Sequence, residues 1–182
     1  GESMVGQIPL DNDDLSVFIR LGTDFTENYY EYEIPLKITT NNATLDTDVW
    51  PEANNIEIIF EDFTNLKTKR NQLIESGSST VSYNIEYAAD APNDPTKRIK
   101  VKGSPNLQGV KTIMIGVRNP KNNNLNPWQD DGMAHCGIVW VNELRLSDFV
   151  SEGGSAAIAQ LQVQGADFFN ISASGSYYGY NW

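Results

Sequence analysis

The sequence predicts a mainly β chain: an antiparallel β-sandwich of jelly-roll type with one packed α-helix, followed by a β-hairpin that would belong to a transmembrane β-barrel. Three observations carry this. Six short runs rich in aromatic and β-branched residues are separated by Gly, Pro, Asn and Asp. One intervening stretch switches to a helical period. The stretch from Gly153 to Trp182 has Asp167 as its single charged residue and alternates apolar with small or polar side chains.

Leu15–Leu21 (LSVFIRL) and Tyr29–Thr40 (YYEYEIPLKITT), joined by the turn-like GTDFTEN, predict a hairpin. In the second run Tyr30, Tyr32, Ile34, Leu36 and Ile38 share one face, while Glu31, Glu33 and Lys37 share the other. One face is expected to be buried and the other wet. Pro35 lacks an amide donor, which predicts a sheet edge or a bulge.

Ile56, Ile59, Phe60, Phe63 and Leu66 recur at helical spacing. With start signals at Pro51, Asn54 and Asn55 and a stop at Gly77, they predict one helix over 55–76, although IEIIF could also begin as a strand. Three strand-like runs follow: Val81–Ala88, Arg98–Lys102 and Lys111–Arg118. A loop, PKNNNLNPWQDDGMAHC, leads into the run Gly137–Leu146 (GIVWVNELRL), which completes a sandwich domain over 5–150.

In the tail, residues 156–178, Ala159, Leu161 and Val163 alternate with glutamines, and Phe169, Ile171 and Ala173 alternate with Asn and Ser. A membrane β-strand needs about 9–11 residues, apolar toward lipid and polar toward the lumen, with aromatic girdles at the interfaces. The six apolar residues are the candidate lipid-facing set. Phe168, beside the turn at Gly165–Asp167, and Tyr177, Tyr178, Tyr180 and Trp182 at the far end are the candidate girdle. If that turn is periplasmic, the sandwich lies outside the cell.

Composition narrows the function classes. The formal charge of −11 repels phosphate backbones, so nucleic acid is not an expected partner. Cys136 is the one cysteine, which rules out an intrachain disulfide and a thiolate metal cluster. No run of 18 apolar residues predicts a membrane helix. Both ends look cut from something longer, so the missing signal peptide says nothing about export.

Several segments resemble one family. VFIRLGTDFTENYYEYEIPLKIT, VWPEANNIEI, KTIMIGVRNP, VWVNELRLSDF and EGGSAAIAQLQVQGADFFNISASGSY are similar, in that order, to the SprA (Sov) family of Bacteroidota. The resemblance implies the outer-membrane translocon of the type IX secretion system, required for gliding motility and conducting folded proteins through a very large single-chain barrel. It also implies further parts of the same chain, a small outer-membrane barrel partner, a plug protein and secreted cargo proteins as partners, and a cell-surface location. It brings no catalytic residues and no cofactor. One departure stands at Ser155, where many relatives carry an aromatic after the Gly-Gly pair.

GIVWVNELRL also resembles the closing strand of jelly-roll carbohydrate-binding modules, and Trp128 beside Gln129, Asp130 and Asp131 would suit a sugar platform or a partner contact. Asp130 and Asp131, and Asp11, Asp13 and Asp14, are weak calcium candidates that lack the spaced ligands and closing Glu of a calcium loop. Turn acids are the expected role. His135 and Cys136 are adjacent, so an extended backbone points them to opposite faces and they make a poor nucleophile–base pair. With no catalytic team in sight, the chain is expected not to be an enzyme.

Overall fold

The structure, a computed structural model, describes residues 10–39, 42–119, 135, 137–147, 155–165 and 169–179. The chain divides into two units, Gly1–Val139 and Trp140–Trp182.

The predicted hairpin forms from β1 (Ser16–Gly22) and β2 (Tyr29–Pro35), paired from Ser16↔Pro35 to Gly22↔Tyr29. Its loop is held by Asp24, whose Oδ1 accepts the amides of Thr26 at 2.9 Å and Asn28 at 3.0 Å. The Glu27 amide first, with the Asn28 side chain and these two amides, holds the Asp24 carboxyl well below the usual carboxylate range.

Three more strands join: β3 (Tyr87–Ala91), β4 (Asp94–Lys102) and β5 (Thr112–Arg118). Among the described residues they complete one antiparallel sheet of five strands in the order β3-β4-β2-β1-β5. β2 is therefore central and its register with β1 and β4 runs without a shift, where its proline predicted an edge or a bulge. Pro35 sits at the last position of the strand, past Glu33↔Arg98, where pairing with β4 ends, so its missing amide interrupts no ladder there. Beyond it the Asn54 side chain substitutes for a strand, accepting from Lys37 N and donating to Lys37 O, each at 2.8 Å.

Between β2 and β3 lie a short helix, α1 (Asp46–Val49), and the main helix, α2 (Phe60–Glu75). α2 starts five residues later than the predicted span. Residues 55–59 are not helical, with Asn55 and Ile59 extended, and Ile56 and Ile58 pack on the core from that stretch. The β-branched run explains the late start, together with Ile59 at the N-cap, where no side chain satisfies the open amides. The helix is pinned by Phe63, Leu66 and Arg70, all buried, whereas Ile59 and Phe60 are exposed. Phe63 stacks on Tyr30 with ring centroids 5.0 Å apart.

The apolar face of the sheet carries Val17, Ile19, Leu21, Tyr30, Tyr32, Ile34, Ile99 and Val101, and with Phe63 and Leu66 it makes the core. On β5 the same face carries Ile113, Ile115 and Val117, all exposed.

One predicted strand does not form. Residues 137–147 have no regular secondary structure, and Ile138, Trp140, Val141, Leu144 and Leu146 are exposed. A strand needs a ladder for its amides and carbonyls, and among the described residues none pairs with this run. Tyr87 rather than Val81 opens the third strand for a related reason: pairing with β4 starts at Tyr87↔Val101.

In the second unit, β6 (Ser155–Gly165) and β7 (Phe169–Gly179) pair antiparallel over 11 residues each.

Candidate functional site

The register of β6 and β7 sorts the tail residues. Directly opposed residues of an antiparallel pair lie on the same face, and positions two apart share it. Ala159↔Gly175, Leu161↔Ala173, Val163↔Ile171 and Gly165↔Phe169 therefore belong to one face. Ile158↔Ser176, Gln160↔Ser174, Gln162↔Ser172 and Gln164↔Asn170 belong to the other. Ala159, Leu161, Val163, Phe169, Ile171 and Ala173 are thus brought onto a single face, and neither strand carries a charged residue. Tyr177 pairs with Ala157 on that face and Tyr178 with Ala156 on the other.

Phe168, Tyr180 and Trp182 lie outside the described residues, as do Trp128, Asp130, Asp131 and Cys136. Of the other acids, Asp13 pairs with Lys37, with Nζ 2.8 Å from Oδ1, and Asp14 Oδ2 accepts the Asp11 amide at 2.6 Å. His135 has its Nδ1 3.9 Å from Asp14 Oδ2.

On the five-stranded sheet, the face expected to be wet is closed. Glu31 and Glu33 are each 0% exposed. Glu31 receives Arg20 Nε at 2.9 Å, Lys100 Nζ at 2.9 Å and Arg118 Nη2 at 3.0 Å. Glu33 pairs with Lys100 and Arg118 and accepts Ser16 Oγ at 2.6 Å. Two carboxylates thus meet three cations supplied by β1, β4 and β5. Burial by itself would raise the Glu31 pKa, but the charges of Lys100 and Arg118 outweigh it and hold the carboxyl below its ordinary value. The same two carboxylates raise Arg118 against its own desolvation.

Aromatic rings extend this network. The Arg20 guanidinium lies 3.7 Å from the Tyr29 ring centroid, and Arg118 lies 4.4 Å from that of Phe18. The Tyr29 hydroxyl donates to Glu86, and burial followed by that contact pushes the phenol well above its usual range. The arrangement is built of charge-assisted bonds and holds four strands in register; no nucleophile or general base stands open in it.

The alternation of glutamate in YYEYEIP against lysine and arginine in RIKVK was the available sign of this network. Two period-2 runs of opposite charge can zip only if the strands are neighbours, and the sequence does not show which strands are.

The SprA_N family model, described as motility related/secretion protein, matches residues 3–182. The chain belongs to the SprA_N family. Its membership links the fold to secretion and motility. Among curated proteins, none matches. Among the described residues of this SprA_N chain, no helix is long and apolar enough to cross a membrane.

Proposed function

We propose that this chain is a fragment of the outer-membrane, protein-conducting translocon of the type IX secretion system. In it, β6 and β7 are barrel strands and the five-stranded sheet is one layer of a jelly-roll domain at the cap or rim. The observation that carries the reading is the hairpin. Two uncharged 11-residue strands, paired end to end, place Leu161, Val163, Ile171 and Phe169 on one face and Gln, Ser and Asn on the other, where Ile158 is the exception. That length spans a hydrocarbon layer when tilted, and a charge on the lipid face would cost about 2–4 kcal/mol at the midplane.

Full burial of Glu31 and Glu33 supports a sheet covered on both sides, as the layer of a sandwich is. In this reading the domain acts by shape and surface chemistry and is not catalytic. A small barrel partner, a plug and exported cargo are the chains it works beside, and the sandwich faces the cell exterior. The carbohydrate-binding alternative rests on Trp128, and no described group favours it.

The test is cysteine accessibility in the full-length protein in native membranes, with Cys136 replaced by Ser. Leu161→Cys and Ile171→Cys are expected to react with a lipid-soluble maleimide and resist a charged one. Gln162→Cys and Ser172→Cys are expected to do the reverse. Equal reaction of all four with the charged reagent overturns the lipid-facing assignment, and protection of the sheet from protease on whole cells overturns the exterior placement.

A further inference from the structure

The two edges of the five-stranded sheet are finished differently. β3 is short, its register shifts at Asp90/Ala91, and exposed Asp90 stands at the irregularity, paired with Arg98. A short strand, a bulge and a charge are what keep an edge from pairing with another chain. β5 has none of these devices on its open side. It runs seven residues, and its register with β1 holds without a shift from Ser16↔Arg118 to Gly22↔Thr112. It contains no proline, and its one charged residue, Arg118, is engaged by Glu31 and Glu33. Among the described residues no strand pairs with its outer side.

A row of aliphatic side chains borders that open edge. Ile113, Ile115 and Val117 lie opposite Leu21, Ile19 and Val17 and so extend the core face, yet they are 52%, 37% and 47% exposed. Exposure alternates from 111 to 118, which places Lys111 at the head of the same row. Lys111 is exposed, and no acid among the described residues pairs with it. The edge therefore offers main-chain donors and acceptors, three alternate apolar positions and one uncompensated cation.

We infer that the outer edge of β5 receives an extended segment of a separate polypeptide as a further antiparallel strand. Opposed residues of an antiparallel pair share a face. The segment that fits carries large aliphatic residues at three alternate positions and, two residues after the last, an aspartate or glutamate facing Lys111. Main-chain bonds supply the affinity and the alternate side chains the selectivity. A second copy of this chain fits less well. Pairing β5 with itself about Ile115 sets Lys111 opposite Asn119, which leaves the cation uncompensated at both ends and joins two chains of formal charge −11. This docking surface lies in the first unit and does not depend on β6 and β7 facing lipid.

The test is fluorescence anisotropy of the whole chain with a short labelled peptide that alternates valine with threonine and closes on glutamate. Saturable binding is expected. Two further peptides, N-methylated at alternate residues in the two possible frames, separate ladder pairing from apolar adhesion. The frame whose amides face β5 should fail, and the other should bind. Ile113→Ser with Val117→Ser should weaken binding at least about tenfold. Lys111→Glu should weaken the glutamate peptide about two- to fivefold and strengthen a peptide closing on lysine by a similar factor. That exchange tests the surface even where the serine variant unfolds, because Lys111 is exposed. No saturable binding, equal binding of both N-methylated frames, or indifference of both peptides to Lys111→Glu overturns the surface. Sedimentation that shows a dimer abolished by Ile115→Lys assigns the edge to a second copy and overturns it as well.

Discussion

The Phe18 ring lies over Gly116 of the neighbouring strand, so close that a Cβ added there would stand 2.4 Å from Cζ of the ring. Phe18 cannot swing aside freely, because it is buried and the guanidiniums of Arg20 and Arg118 lie at 5.4 and 4.4 Å from its centroid. Gly116→Ala should therefore destabilise the chain by about 1–3 kcal/mol, the usual cost of overpacking. Urea unfolding measures it. Phe18→Leu in the same chain should return part of the loss, and strict additivity of the two substitutions would show that the ring does not oppose the methyl group.

Lys100, like Arg118, pairs with both buried carboxylates. Lys100→Met keeps the bulk and removes the charge, leaving Glu31 and Glu33 to Arg20 and Arg118. Breaking a buried pair costs about 3–5 kcal/mol, and the two remaining arginines put the expected loss near the lower end. Glu33→Gln added to Lys100→Met should recover stability. A loss under about 1 kcal/mol for the single variant would mean the pair behaves as a solvated surface one.

These two sites show what a sequence discloses and what it withholds. The alternation in YYEYEIP assigns Tyr30, Tyr32 and Ile34 to one face and Glu31 and Glu33 to the other, and the structure keeps that division. Burial of the glutamates is another matter. It depends on Lys100 and Arg118, which lie 69 and 87 residues from Glu31 along the chain. Periodicity is a local property and the strand order β3-β4-β2-β1-β5 is not, so the pattern predicts a wet face for charged residues whose partners lie out of its reach. The helix shows the same boundary: Phe63 and Leu66 are buried as their spacing predicts, whereas Ile59 and Phe60, on the same nominal stripe, stand at the helix entrance and are exposed. In the tail, local alternation was enough to group Leu161, Val163, Ile171 and Ala173, because a hairpin with a short connection has one register.

Phe63 is the largest apolar residue through which α2 holds the sheet, with Leu66 beside it in the core. It is 0% exposed and stacks on Tyr30 at an interplanar angle of 15°. Phe63→Ala should cost about 3–5 kcal/mol, transfer loss and cavity together. Phe60→Ala, at an exposed position in the same helix, should stay within about 0.5 kcal/mol. Thermal unfolding of the two variants side by side checks the contrast; equal losses would place the helix on a different stripe.

Acid should unfold the five-stranded sheet through Glu31. Its pKa in the folded chain is lowered, because Lys100 and Arg118 outweigh the desolvation that would raise it. In the unfolded chain a glutamate titrates near about 4.3. The folded state therefore binds fewer protons than the unfolded one between the two values. The stabilisation is complete above the unfolded value and is lost as pH falls through the folded one. Stability measured by urea should be flat from neutral pH down to about 5 as far as this group is concerned, then fall steeply below about 4. Glu31→Gln should be less stable at pH 7, because three cations lose a buried partner, and should show a shallower acid limb. An acid limb of unchanged slope in Glu31→Gln would assign the acid sensitivity to other carboxylates, with Asp24 in the β1–β2 loop the next to test.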